Sequence, residues 1–295
     1  VITRPSLGFI GAGKVGTVLA RAWYAHGYQI SAIHSRNPDY ASHLAAEVGA
    51  MQAAQLVDAI AKSDLILFTV PDDAIAGLVE TMRPFDLQSK AIIHTSGVHS
   101  LDVLQPLVIS GAVVGSLHPA FPFANAQIVP EQLVGTVFAL ESQDESLARW
   151  LHELVSALGG QWITIPLGGK ATYHAAMTIA SNFTVTLYAL AEKLLLDLGI
   201  SRQHADAALD GLLSGTVNNL HSQGVPEALT GAFVRGDVQT ISAHLTALRH
   251  DDAILEVYKA LARLTLPLAE QRGTPAELVT LISHLLAEQK ENAHA

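Results

Sequence analysis

Residues 7–16 read Leu-Gly-Phe-Ile-Gly-Ala-Gly-Lys-Val-Gly, and no other stretch restricts the possible folds as much. A short apolar run enters a G-x-G-x-x-G loop at Gly11, Gly13 and Gly16, and helical spacing follows from Val15 to His26. A glycine-rich turn alone is a weak signal, but a strand before it, a helix after it and a second strand at Gln29–Ile33 make up a dinucleotide-binding unit. Gly11 would allow the tight turn, Gly13 the approach of the backbone to a pyrophosphate, and Gly16 the packing of helix on strand. Ala12, Lys14 and Val15 complete a loop that offers backbone N–H groups and the helix dipole to the anion.

The end of the second strand bears on which dinucleotide binds. An NAD site usually places Asp or Glu there to accept from the ribose 2′-hydroxyl. This chain has Ile33-His34-Ser35-Arg36-Asn37, with no acid before Asp39. A hydroxyl and a guanidinium at Ser35 and Arg36 suit a 2′-phosphate, so NADP is expected ahead of NAD. A solvated Arg36 is the plainer alternative.

Further apolar runs at Leu65–Val70, Ala91–His94, Val113–Leu117, Thr136–Leu140 and Trp162–Ile165 alternate with helical patterns such as Ser42–Val48. This alternation predicts a parallel, doubly wound α/β sheet of the Rossmann type. After Pro166 the strand signals stop. One helix is expected from Gly168-Gly169 to Leu198, buried because it is apolar nearly all round, followed by helices at Arg202–Ser222, Asp237–Leu248, Asp252–Gln271 and Pro275–Glu291. The expected organisation is a Rossmann domain over 1–166 and an all-α substrate and dimerisation domain over 167–295.

Composition narrows the function classes. A net charge of −10 opposes a nucleic-acid partner, which needs a basic face. No apolar run reaches the roughly 18 residues of a membrane span, the N-terminus lacks a signal-peptide layout, and there are no cysteines, so a cytoplasmic protein is expected. The chain is 49% hydrophobic and only 15% charged, and small domains bury a limited share of their surface, so a homodimer joined through the helical part is expected. The 14 histidines are scattered without metal-ligand spacing, and no metal site is expected.

Hydride transfer needs a proton donor beside the substrate, and three places offer one. Lys170, His174, Thr178 and Ser181 share a helix face, with Asn182 a little round from it; an exposed helix start is the alternative. His118, in Ser116-Leu117-His118-Pro119, ends a strand on the ligand side, as do Val70-Pro71-Asp72-Asp73 and His94-Thr95-Ser96-Gly97. Ser96 is a candidate contact to nicotinamide or substrate, and Val70 and Pro71 are candidate cofactor contacts. The third place is the loop Leu229–Asp237, with His244 two turns into the next helix; it would present Arg235 to an anion, in its own or a partner subunit, and an Asp237 helix cap with Arg235 solvated is the alternative.

Together, Gly11–Gly16, Val70–Asp73, His94–Gly97, His118-Pro119, Tyr173-His174-Ala175-Ala176, Ser181-Asn182 and Leu229–Asp237 resemble a group of Rossmann-like proteins with a helical C-terminal domain of unknown function, provisionally labelled NADP oxidoreductases. Where that group has proline after Leu-Thr-Gly, this chain has Ala232. The layout is more distantly similar to pyrroline-carboxylate reductase, 6-phosphogluconate and β-hydroxyacid dehydrogenases, ketopantoate reductase and prephenate dehydrogenase. The β-hydroxyacid group has Lys and, four residues on, Asn; here Lys170 is followed at that spacing by His174. The resemblance implies the NADP cofactor and leaves the substrate open; from the residues, an NADP-dependent oxidoreductase acting on a small, anionic molecule in an interdomain cleft is expected. Its site would comprise His174 and Lys170 for proton transfer or polarisation, with His118, Ser96 and Asn182 positioning substrate. NADP–deazaflavin hydride exchange and a non-catalytic dinucleotide sensor are the rival readings.

Overall fold

A computed structural model describes residues 4–166 and 168–288. Chain contacts divide it into two compact units, Val1–Phe183 and Thr184–Ala295. The first holds eight strands, β1 (Leu7–Ile10), β2 (Ile30–His34), β3 (Met51–Gln52), β4 (Leu65–Phe68), β5 (Ala91–His94), β6 (Val113–Pro119), β7 (Val137–Ser142) and β8 (Gln161–Thr164). They form one sheet in the order β3-β2-β1-β4-β5-β6-β7-β8. Its helices are α1 (Lys14–Ala25), α2 (Pro38–Glu47), α3 (Leu56–Lys62), α4 (Asp72–Met82), α5 (Gln105–Ile109), α6 (Glu145–Ala157) and α7 (Lys170–Ala180).

Strands β1, β4 and β5 are buried along their whole length, which is why they read as continuous apolar runs: both faces of the sheet are covered. Phe9, Leu67 and Ile93 pack with Trp23, Leu151 and Leu154 on one face. Ile66, Phe68 and Ile92 pack with Ile75, Val79 and Leu104 on the other. The strand order turns back on itself between β1 and β4, the switch point at which open α/β sheets bind ligands.

The Rossmann-type fold class stands, three local expectations need correction, and one strand was not foreseen. The sheet is not wholly parallel, because β7 runs antiparallel to β6. Residues 120–136 between them contain no α-helix among the described residues, only a short 3-10 turn at Pro130–Leu133, and a parallel return would need a crossover. The two-residue β3 is too short to leave a periodic signal. The helix expected from Gly168 to Leu198 is two helices, α7 and α8 (Asn182–Asp197), broken at Ser181. Nor is its second half buried: no residue of α8 is, although the helix is apolar nearly all round.

The second unit continues with α9 (Arg202–Gln223), α10 (Val238–Leu248), α11 (Asp252–Gln271) and α12 (Ala276–Glu288). Ile241, Leu245, Ala262, Leu266, Ile282 and Leu286 make the core that joins α10, α11 and α12. Asp237 caps α10, its carboxylate accepting from the Thr240 N–H at 3.0 Å. The expected end of the last helix at Glu291 lies outside the described residues.

Candidate functional site

The three loop glycines have three different surroundings. Gly11 sits at φ +112°, where a Cβ would also stand 2.6 Å from the Thr69 carbonyl oxygen. The Thr69 hydroxyl donates to the Gly11 carbonyl at 2.7 Å and fixes the turn. A Cβ at Gly16 would run into the Gly11 carbonyl and the Thr69 side chain. Around a Cβ at Gly13, by contrast, nothing lies within 4 Å. Gly13 is also the N-cap of α1, with no capping side chain and no acid in the first turn. The first N–H groups of that helix therefore lack a side-chain acceptor, as an anion site requires.

At the end of β2, Arg36 is exposed and Ser35 half-buried, the Ser35 hydroxyl accepting from the Asn37 N–H at 3.3 Å. Asn37 and Pro38 start α2 immediately afterwards, leaving Arg36 on the open side of the turn. Val70 is half-buried, and the exposed Pro71 is the N-cap of α4 at the carboxyl end of β4.

Beside this loop, the carboxyl ends of β5 and β6 carry a polar cluster. Lys170 is only 2% exposed. Its Nζ donates to the Ser96 carbonyl and to the Ser116 hydroxyl, both at 3.1 Å, and stands 3.6 Å from Glu141 Oε2. The Ser116 hydroxyl in turn donates to Glu141 at 3.0 Å. Burial pushes the Lys170 ammonium below the ordinary lysine value, and the Glu141 carboxylate opposes that shift.

One helical turn from Lys170, Tyr173 and His174 meet His118. The Tyr173 hydroxyl lies 2.8 Å from His118 Nδ1, and the His118 and His174 rings stand edge to face at 6.2 Å. The spacing follows from geometry: four helical residues rise about 6 Å, nearly matching the roughly 6.6 Å from Ser116 to His118 along one face of β6. Gly97 fits between the imidazoles, since a Cβ there would be 2.6 Å from His174 Cδ2 and 2.9 Å from His118 Nε2. Burial, then the positive charge of Lys170, lower the His118 imidazole to about 4, so it is neutral at physiological pH. Burial pushes the Tyr173 phenol up to about 12.

A cavity of about 610 Å³ opens beside the imidazoles. His118, His174, Thr178, Ser181 and Asn182 bring polar atoms to it, while Phe121, Phe123 and Met177 are among its apolar lining. Asn182, His118 and His174 thus meet at one cavity, with Ser96 and Lys170 behind them. The Ser96 hydroxyl accepts from the Val98 and His99 N–H groups, at 3.2 and 3.1 Å, so it shapes its own turn. Arg235 belongs to the second unit, mostly exposed and 4.0 Å from Asp237. Among the described residues no group of three or more acidic or histidine side chains is placed to hold a metal, and no helix is long and apolar enough to cross a membrane.

Sequence reasoning did not assign roles to Tyr173, Glu141, Ser116 or Gly97. The one usable signal was Glu141, an acid directly after the apolar run Thr136–Leu140, where a buried charge needs a partner.

Comparison with known proteins finds a Rossmann-like domain at residues 2–119 and a domain of unknown function, DUF2520, at 136–265. No curated protein matches the chain in sequence. Among solved structures, a Bacteroides fragilis protein provisionally described as an NADP oxidoreductase is 25% identical, covers 90% of this chain and all of its own, and superposes with a TM-score of 0.72. A Thermotoga maritima protein is likewise 25% identical over 91% of this chain and all of its own, with a TM-score of 0.71. An Aspergillus terreus reductive aminase, solved with NADPH and ethyl-5-oxohexanoate, shares the fold at 18% identity over 97% of this chain and 93% of its own, with a TM-score of 0.61.

Proposed function

Starting from a Rossmann-like domain joined to a DUF2520 domain, we propose an NADP-dependent oxidoreductase that reduces, or in reverse forms, a C=O or C=N bond in a small molecule. The observation that carries this is the placement of His118 and His174 on the cavity at the carboxyl edge of a sheet whose glycine loop is open at Gly13. Gly11 to Gly16, Val70 and Pro71 would hold the dinucleotide, with Ser35 and Arg36 on its 2′-phosphate. Bound there, NADPH supplies the hydride.

The chain's own residues do the rest. When the Tyr173 hydroxyl is the donor in its 2.8 Å bond to His118 Nδ1, the neutral ring carries its proton on Nε2, the nitrogen nearer Gly97. A neutral imidazole held this way polarises a carbonyl or imine by donating a hydrogen bond, and His174 delivers the proton to the heteroatom. Thr178, Ser181 and Asn182 orient the substrate, while Phe121, Phe123 and Met177 exclude water. Among the described residues the cavity lining holds no Lys or Arg, so an anionic substrate would draw its counter-charge from Arg235, of its own or a partner subunit.

A second copy is needed to cover α8, which has no buried residue, and α9, in which only Ala205 is buried. Leaving Leu212 71% exposed and Val185 70% exposed beside Leu187 and Leu220 is uneconomical for a lone chain. The working unit is therefore a homodimer paired through these helices, and sedimentation at micromolar concentration should show it; a stable monomer would refute the pairing.

The function is tested by titrating the protein with NADPH and NADH, then screening ketones, imines and matched keto acids by nicotinamide absorbance. Tight NADPH binding with turnover of at least one class is expected. Binding without turnover across all classes would point to a dinucleotide sensor, and no binding would overturn the reading altogether.

A further inference from the structure

We propose that Lys170 is a positioning cation and not the proton donor: clamped by Ser96, Ser116 and Glu141, it pins the Ser96–Gly97 turn against the imidazoles and sets the charge environment of His118. The inference rests on the reading of His118 and His174 as the reactive pair.

Two of the ammonium's three donors are taken, by the Ser96 carbonyl and the Ser116 hydroxyl at 3.1 Å each, and Glu141 Oε2 at 3.6 Å completes the surroundings as an ion pair. These partners come from three consecutive positions in the sheet: the turn after β5, the middle of β6 and the end of β7. Lys170 is 2% exposed and Glu141 8%, so both are withdrawn from solvent, and neither lines the cavity. A proton donor must reach its acceptor directly or through one water. Lys170 instead spends its donors inside the fold.

What the clamp fixes is mechanically specific. The Ser96 carbonyl it holds precedes Gly97, where a Cβ would come within 2.6 Å of His174 Cδ2 and 2.9 Å of His118 Nε2, so the turn and the two rings share one tight space. A loosened turn would let both rings move, and a displacement of about 1 Å at reacting groups can cost about 100-fold in rate. The charge acts on the same ring. Around His118, Lys170 and His174 of α7 disfavour protonation, and Asp72 at the start of α4 favours it. Tyr173 bonds its Nδ1, and Glu141 of β7 acts through its hold on Lys170. Lys170 adds to burial, the larger cause, in disfavouring the His118 cation and so widens the pH range over which the ring stays neutral.

The test uses the full-length protein and two variants, Lys170→Met and the double variant Lys170→Met/Glu141→Gln. The single change leaves Glu141 buried without its partner and is expected to unfold easily; the double change removes both charges together and should stay folded. The first readout needs no substrate: the pH titration of the His118 ring resonances by NMR. In the folded variant that titration should move up from about 4 but stop short of 6.5, because burial, the larger cause, remains. The second is kinetic: kcat should fall about 100-fold while KM for NADPH holds, with the acid limb of the rate profile moving to higher pH. A His118 titration that does not move in the folded double variant overturns the charge role. A double variant turning over at the parental rate overturns the clamp. If the parent reduces nothing, the functional reading fails, and the NMR arm still decides whether Lys170 governs His118.

Discussion

Gly13→Val separates the binding role of the glycine loop from its structural role. The backbone there is at φ −80° and ψ −171°, an extended conformation that valine adopts readily. A side chain would find no atom within 4 Å at its Cβ, so the apo fold should keep its melting temperature. The same side chain would stand in front of the N-terminus of α1, where the pyrophosphate belongs. Hydrogen bonds to a charged group contribute about 1.5–3 kcal/mol each, so displacing the phosphate from two N–H groups costs about 3–6 kcal/mol. At about 1.4 kcal/mol per decade, NADPH affinity should drop roughly 100- to 10,000-fold. Fluorescence titration with NADPH reads the affinity, and a thermal melt without ligand reads the fold. Gly16→Ala is the opposite case: its Cβ would collide with the Gly11 carbonyl, so the melt should suffer before any ligand is added. Gly13→Val protein that still binds NADPH tightly, or Gly16→Ala protein as stable as the parent, would refute this assignment of the loop.

Removing the guanidinium in Arg36→Ala should weaken NADPH about 10- to 100-fold and NADH hardly at all; equal losses for both would remove Arg36 from the phosphate site. His174→Ala should lower turnover about 100- to 10,000-fold with little change in NADPH affinity, and a parental rate would exclude it as the acid. Acid should destabilise the fold over a defined window. His94 and His118, held neutral at about 4 when folded and titrating near 6.5 when unfolded, contribute their stability above pH 6.5 and lose it as pH falls toward 4. For the fully buried His94 the shift is worth about 3 kcal/mol at its limit, so His94→Leu should flatten the loss between urea melts at pH 7.5 and 4.5. An unchanged acid limb would mean that the His94 ring is not the group responsible.

The sequence was most legible where local physics repeats itself. Runs such as Leu7–Ile10 and Ala91–His94 are strands because both sheet faces are covered, and the loop glycines followed from the steric needs of a phosphate turn. The direction of β7 was not legible, because pairing sense depends on what the connection does in space, and residues 120–136 carry no period. The helix break at Ser181 carried only a weak mark: no proline or glycine stands there, and the polar pair Ser181-Asn182 interrupts the apolar run no more than Glu192-Lys193 does inside an unbroken helix. At the site, His118, His174 and Asn182 were singled out from strand ends and helix faces, and they do share a cavity. Their partners were not, because Glu141, Ser116 and Tyr173 act through contacts between residues 25 to 55 positions apart.

The reversed β7 has a consequence for how the chain reaches its own ligand edge. Strands β1, β4, β5 and β6 all deliver the chain to that edge, but β7 carries it back, and β8, parallel to β7, sets it down at the far side. The next element has to climb. Helix α7 makes the ascent along β6, meeting Ser116 through Lys170 and, one turn higher, His118 through Tyr173 and His174. The groups gathered there are therefore aligned by a ladder of side chains between a helix and a strand, with rungs about 6 Å apart on both rails. One residue inserted between β8 and α7 could be absorbed by the glycines at 168 and 169. One residue inserted within α7, between Lys170 and His174, would turn every later rung by about 100° and take His174 off the cavity while leaving Lys170 in place.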